Sequence, residues 1–350
     1  MNSPVAAFAR LGMRLPVIQG PFGGGLSTVK LAATVSNAGG MGSYGAHLLE
    51  PEEIVRITDA IRAETAGPFV MNLWVNREDP VSPTAAADFD DAVLALGPLY
   101  RKHGVEPPGF VESSPLSFER QTEAILRAGP PVFSFVFGIP APEILAECRK
   151  RGIVTMGAAT TLDEALAVET AGVDLVLATG FEAGGHRPSF LRPAADSLHG
   201  TLPLVRQVVE AVKIPVVAAG GIADAQGVAA ALALGAGAVQ VGTAFLACEE
   251  SGALPEHKRR LFQPAARHTR LSDRVSGRLA RFIVTPTLEA LEVSSAIHLG
   301  YPLQGDLTSP LKTAGDGLFY SGQGAPLLRH HQAGELTRAL AALSAPFACS

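Results

Sequence analysis

The chain alternates short, wholly apolar runs with longer amphipathic ones. Leu15 to Gln19, Gly40 to Tyr44, Pro68 to Trp74, Val132 to Phe137, Ile153 to Met156, Val173 to Ala178, Ile214 to Ala219 and Ala238 to Phe245 carry little of the every-second-residue polarity of a half-exposed strand. Runs of this kind suit strands of a parallel sheet covered on both faces. Between them the period lengthens to that of helices. Thr28 to Asn37 follows a candidate N-cap at Ser27, and Pro51 opens a helix through Ile61 with Glu52 and Glu53 at its positive end. Further helices are predicted at Ser117 to Ala128, Ala141 to Lys150, after Thr160 or Thr161, at Leu202 to Val212, and from Asp224 to Leu234. Eight strand-and-helix units predict an α/β fold, the (β/α)8 TIM barrel. A doubly wound open sheet is the alternative, but it places its glycine-rich phosphate loop after the first strand, whereas here matching glycine turns follow the late ones.

The rhythm breaks twice. Residues 76–115 are rich in Asp, Ala, Pro and Gly, with one helical patch near Ala85 to Leu99, and read as an insertion over the barrel mouth. Residues 251–330 form a mixed region, basic from Lys258 to Arg281 in what reads as a solvated helix face, and are expected to lie over the mouth as well. A helix from about Gln332 to Leu343, within 331–350, is expected to return to the barrel, whose own residues are 1–75 and 116–250.

Composition narrows the function. A net charge of -5 and a pI near 6.0 supply no broad attraction for nucleic acid or anionic lipid, so a small-molecule substrate is expected. Three scattered cysteines, Cys148, Cys248 and Cys349, form no Cys-x-x-Cys pair, arguing against a disulfide framework or structural zinc and fitting a reducing cytoplasm. His268, His330 and His331 have no metal-ligand spacing and read as surface residues.

The chemistry is expected where strands end. After the sixth run comes Gly184-Gly185-His186-Arg187: backbone without side chains that a flat or anionic ligand can approach, followed by an imidazole suited to proton transfer. Gly220-Gly221 after the seventh run and Gly242-Thr243 after the eighth fall where such barrels commonly bind phosphate, on backbone N–H groups and a helix N-terminus. With Asn72 at the end of the third run, these define a ligand lying across the C-terminal mouth, and flavin mononucleotide (FMN) fits that span. The alternative reading of each glycine pair is a tight turn alone. Arg187 reads as an anchor for an anion or as a solvated or structural arginine, and Glu182 as a supporting partner behind the site or, in preference, an ion-paired barrel residue.

Gln19-Gly-Pro-Phe, Ser36-Asn-Ala-Gly-Gly-Met-Gly, Met71-Asn-Leu, Glu182-Ala-Gly-Gly-His-Arg, Ala218-Ala-Gly-Gly-Ile, Val239-Gln-Val-Gly-Thr-Ala-Phe and Tyr320-Ser-Gly-Gln-Gly together resemble the nitronate monooxygenases, formerly called 2-nitropropane dioxygenases. The resemblance spans nearly the whole chain. It implies FMN contacts at Asn72, Gly184, Gly221, Gln240, Val241, Gly242 and Thr243, with Gly185 and Gly220 beside them, and a catalytic role for His186. Thr179, counted among the cofactor contacts, stands where many members have Gln, and Pro188 where Gly is common. The segment around Tyr301 and Thr308 to Lys312 resembles the monooxygenase branch more than the related enoyl reductases.

The implied activity is FMN-dependent oxidation of alkyl nitronates, or of nitroalkanes deprotonated by His186, with O2 to a carbonyl compound and nitrite, with no nicotinamide, metal, nucleic acid or membrane. Two other readings compete. One is an NAD(P)H-dependent reductase of quinones or enoyl thioesters on the same scaffold; the other is a binding protein holding a phosphorylated ligand without turnover.

Overall fold

The computed structural model describes residues 4–75, 85–112, 116–314 and 316–345. Cys349 and parts of the expected insertion, 76–84 and 113–115, lie outside the described residues. The strands are β1 (Val17–Gln19), β2 (Gly42–Gly45), β3 (Phe69–Trp74), β4 (Val132–Val136), β5 (Val154–Ala159), β6 (Leu175–Thr179), β7 (Gly185–His186), β8 (Val216–Ala219), β9 (Ala238–Val241), β10 (Thr269–Ser272) and β11 (Ala280–Ile283). Eight of them pair in parallel in the order β1-β9-β8-β6-β5-β4-β3-β2. A parallel bridge between Ile18 and Met41 joins the two ends, with Met41 N–H donating to Val17 and Gln19 N–H to Met41, each at 2.9 Å. The result is a (β/α)8 barrel.

Three apolar cores hold the molecule together. Outside the barrel, helices such as Val29–Asn37 and Pro51–Glu64 bury Leu31, Val35, Ile54 and Ile61 against outward residues of the strands. Inside it, Ile18, Met41, Val70, Val132, Met156, Leu175, Leu177, Val217 and Ala238 pack together with Phe8 and Met13. Phe8 belongs to the N-terminal helix Pro4–Arg10, which closes the end where the strands begin. The opposite mouth is thereby the open one. Over it lies a third core, where the helix Ala85–His103 packs Phe89, Leu96 and Tyr100 against Phe282, Leu288, Leu307 and Leu311. The Tyr100 hydroxyl donates to the Leu307 carbonyl at 2.8 Å, so residues two hundred positions apart share one cap.

Several local expectations are corrected. The eighth barrel strand ends at Val241, because Thr243–Leu246 turns into a short helix. Thr28, not Ser27, caps the helix Val29–Asn37, accepting from Leu31 N–H, while the Ser27 hydroxyl accepts from Phe22 N–H. Thr161 caps Leu162–Thr170, and Thr160 instead binds Glu164. Lys258 to Arg281 is no single helix face. Only the helix Pro255–Leu261 is helical there beyond a 3-10 turn, and the chain then forms β10 and β11, with Arg281 buried. The C-terminal helix is Ala333–Leu340 and packs on Val29–Asn37. No helix among the described residues is long and apolar enough to cross a membrane.

Candidate active site

Strand alternation selects what faces the mouth. Two residues beyond Val70, Val132, Leu177 and Ala238 of the inner core stand Asn72, Ser134, Thr179 and Gln240, which form the topmost inner layer. Asn72 lies in register with Ser134, and its Nδ2 donates to Ser134 Oγ at 2.8 Å. Val241 points the other way, into the outer core, and offers the mouth only backbone; its carbonyl accepts Gly20 N–H at 2.8 Å.

Above this layer, turns from distant parts of the chain meet as bare backbone. A Cβ on Gly184 would lie 2.5 Å from Gly322 N and 2.7 Å from Ser321 C. Gly322 N–H in turn donates to Thr243 Oγ1 at 2.8 Å. Gly220 has φ +114°, and a Cβ there would stand 2.6 Å from Thr201 Oγ1, so neither backbone conformation nor space admits a side chain. Gly20 and Gly242 also approach, less closely, a Cβ on Gly20 falling 3.1 Å from Gly242 Cα. Gly184, Gly220, Gly242 and Thr243 thus lie within one cradle, and Gly221 packs beside Glu182 and Gly324 at its edge. Ser321 and Gly322 stand in the Tyr320-Ser-Gly-Gln-Gly motif of the resemblance, but nothing in the sequence says that they meet Gly184 and Thr243.

His186 sits beside the cradle on a strand rather than in a free loop. β7 pairs antiparallel with β11, His186 opposite Ala280 and Gly185 opposite Arg281, in a three-stranded sheet with β10. The C-terminal region therefore holds the imidazole in place. Its Nε2 is 2.8 Å from Ser276 Oγ, and that hydroxyl donates to the Arg278 carbonyl at 3.1 Å. The serine proton being committed to Arg278, Ser276 oxygen accepts from Nε2–H, which leaves Nδ1 as the proton acceptor. Burial, then the nearby His47, Arg278 and Lys312, push the His186 pKa down to about 3, so the ring is neutral.

Aromatic rings surround it. Trp74 meets His186 edge-on at 5.1 Å and Tyr320 lies at 5.7 Å, stacked in turn on Phe282. Arg278 stands 4.7 Å from the Phe137 ring centre and 4.5 Å from that of Tyr301. Phe137 holds φ +62°, a conformation costly for a non-glycine residue and found most often where a site requires it.

Two charged neighbours prove structural. Arg187 is fully buried, and its guanidinium donates to the carbonyls of Gly180 at 2.7 Å, Thr179 at 3.1 Å and Ser197 at 3.3 Å. It clamps the end of β6 and is neither solvated nor an anion anchor. Glu182 has no ion-pair partner within salt-bridge distance among the described residues; its carboxylate accepts Thr201 N–H at 3.0 Å and caps the helix Thr201–Ala211. Buried Glu164 accepts Phe190 N–H at 2.6 Å and Leu191 N–H at 3.1 Å, fixing the loop beyond Pro188. Cys248 and Cys148 are buried thiols, pushed up to about 12 and about 11 by burial, and serve as small apolar groups. His268 and His331 are exposed.

Comparison with known proteins gives the family. The family model described as nitronate monooxygenase matches residues 6–341. The chain is 39% identical over 341 residues to a nitronate monooxygenase of Paraburkholderia phytofirmans, covering 94% of this chain and 92% of that one. It is 40% identical over 344 residues to a nitronate monooxygenase of Pseudomonas aeruginosa, covering 94% and 96%. Among solved structures, the nitroalkane oxidase of Streptomyces ansochromogenes superposes with a TM-score of 0.87 at 37% identity, covering 96% and 97% of the two chains. FabK of Thermotoga maritima superposes with a TM-score of 0.71 at 27% identity, covering 97% and 95%. With its barrel, its glycine cradle and its strand-held histidine, this chain belongs to the nitronate monooxygenase family, whose enzymes depend on a flavin.

Proposed function

We propose that the protein oxidises alkyl nitronates with O2 to a carbonyl compound and nitrite, using FMN. The observation that carries this reading is the juxtaposition of a backbone cradle with a neutral, oriented imidazole at one barrel mouth. The cradle suits the group: a Cβ on Gly184 or Gly220 would collide, Gly221 and Gly242 add bare main chain, Thr243 Oγ1 accepts Gly322 N–H, and the turns after β8 and β9 are where (β/α)8 proteins hold phosphate. Asn72, Thr179 and Gln240 line the floor on which the ring system would rest, with Val241 contributing backbone and Gly185 the approach to His186. The flavin, when bound, supplies the electron acceptor and the route to oxygen.

The chain's own residues decide the preferred substrate form. Lowered to about 3, His186 is a weak base toward a neutral nitroalkane. The cationic groups that depress it, Arg278 and Lys312, at the same time favour an anion in the mouth, and a nitronate arrives already deprotonated. A neutral nitroalkane would first have to give its α-proton to His186 Nδ1, while Ser276 keeps the ring oriented; a nitronate skips that transfer. Tyr301, Tyr320, Phe137 and Trp74 exclude water around it.

The test is the visible spectrum of the purified protein under anaerobic conditions. A nitronate is expected to bleach the flavin bands rapidly and a neutral nitroalkane slowly. Rapid bleaching by NADH or NADPH alone would establish the reductase reading instead, and a protein that takes up no FMN would remove the cofactor assignment.

A further inference from the structure

Trp74 is the single tryptophan of the chain, at the rim of the barrel where β3 ends. The imidazole of His47 lies flat on its indole, with ring centres 4.0 Å apart and planes 6° from parallel. Behind His47 is the loop that follows β1. A Cβ on Gly23 would fall 2.1 Å from His47 Cε1 and 2.9 Å from Nε2, so the imidazole rests on bare backbone. On the catalytic side Trp74 presents its edge to His186 at 5.1 Å, with planes 74° apart. A continuous stack thus runs from the first loop of the barrel through His47 and Trp74 to His186.

His47 has the marks of a ring used for its shape. Its Nδ1 is buried with no hydrogen-bond partner among the described residues, and burial followed by the nearby Arg278 lowers its pKa to about 4. A buried polar atom left unpaired is an expense that an aromatic hydrocarbon would avoid, yet a neutral imidazole matches the indole face in the narrow gap above Gly23. We propose that His47 is a positioning residue for the reaction: it pins Trp74 against the edge of His186 and thereby fixes the wall that the alkyl chain of the substrate meets. The substrate part of this inference rests on the nitronate reading given above; the stack itself does not.

The experiment compares His47→Phe and His47→Ala in the flavin-loaded enzyme, reading tryptophan emission, acrylamide quenching, kcat and KM for nitronates of ethane and hexane. His47→Phe keeps a flat ring and is expected to retain wild-type emission, kcat and chain-length preference. His47→Ala frees the indole, so emission shifts to the red, quenching rises, and kcat falls on the order of 10- to 100-fold, as small misplacements near reacting atoms produce. The hexane nitronate is expected to gain in kcat/KM relative to the ethane nitronate in that variant. Gly23→Ala, which drives a methyl group into the imidazole from behind, should reproduce the emission shift and serves if His47→Ala does not fold. Unchanged emission in both His47→Ala and Gly23→Ala overturns the stack. Changed emission with unaltered kcat and chain-length preference overturns the positioning role, and a His47→Phe enzyme as impaired as His47→Ala shows that nitrogen rather than shape is required. Because emission needs no substrate, loss of all nitronate activity in the wild type would sink the proposed function and leave the stack standing.

Discussion

The two halves of the mouth are built from different materials. The cradle is main chain: a Cβ on Gly184 or Gly322 would press on the other's backbone, and one on Gly220 on Thr201 and Gly180, each at 3.0 Å or less. The substrate side is all side chain, with His186, Trp74, Phe137, Tyr301, Tyr320 and Arg278 drawn from three barrel units and the cap. On the proposed reading, backbone amides hold the flavin on which the family depends, and they do so without regard to which residues flank them. Side chains that arrive from the cap are free to vary without disturbing the barrel, whose core they do not enter.

If that division is real, the two halves come apart under mutation. His186→Asn is expected to lower kcat for a neutral nitroalkane by about 10²- to 10⁴-fold while flavin affinity, read by fluorescence titration, stays at the wild-type value. Equal loss of flavin binding would show that the imidazole belongs to the cradle. Gly184→Ala should do the reverse, since its methyl group falls 2.5 Å from Gly322 N; overpacking of about 1–3 kcal/mol weakens flavin retention by roughly 10- to 100-fold and leaves kcat per bound flavin nearly intact. A fully flavinated Gly184→Ala protein would contradict the cradle. Ser276→Ala releases the Nε2 contact and with it the tautomer, a loss of roughly tenfold in kcat, part of the general-base contribution, at unchanged flavin affinity.

A separate effect is expected on stability. His47 and His186 titrate near 6.5 when unfolded and at about 4 and about 3 in the fold. Between these values the unfolded chain binds more protons, so stability present above pH 6.5 is lost as pH falls toward 4. Thermal melts across that window should show the decline, with a shallower slope in His47→Phe; an identical slope would mean that His47 is not buried in its neutral form.

Much of this molecule was legible in one dimension. Runs apolar on both faces announce a covered parallel sheet, and the glycine turns Gly220-Gly221 and Gly242-Thr243 mark strand ends, because both features follow from local constraints on backbone and burial. Asn72, Thr179 and Gln240 could be placed by counting alone, since alternation along a strand puts them on the face of Val70, Leu177 and Ala238. What counting cannot supply is which distant segments meet. Ser276 reaches His186 across ninety positions, Gly322 closes on Thr243 across seventy-nine, and Tyr100 joins Leu307 across more than two hundred. Arg187, an anion anchor or a structural arginine by sequence, and Glu182, an ion-paired residue by sequence, become a carbonyl clamp and a helix cap only when the end of β6 folds over the start of Thr201–Ala211. His47 shows the same limit most plainly. It lies in an ordinary stretch after β2, and only closure of the barrel sets it between Gly23 and Trp74, because such contacts depend on the sum of many strand positions and not on any pattern within reach of one.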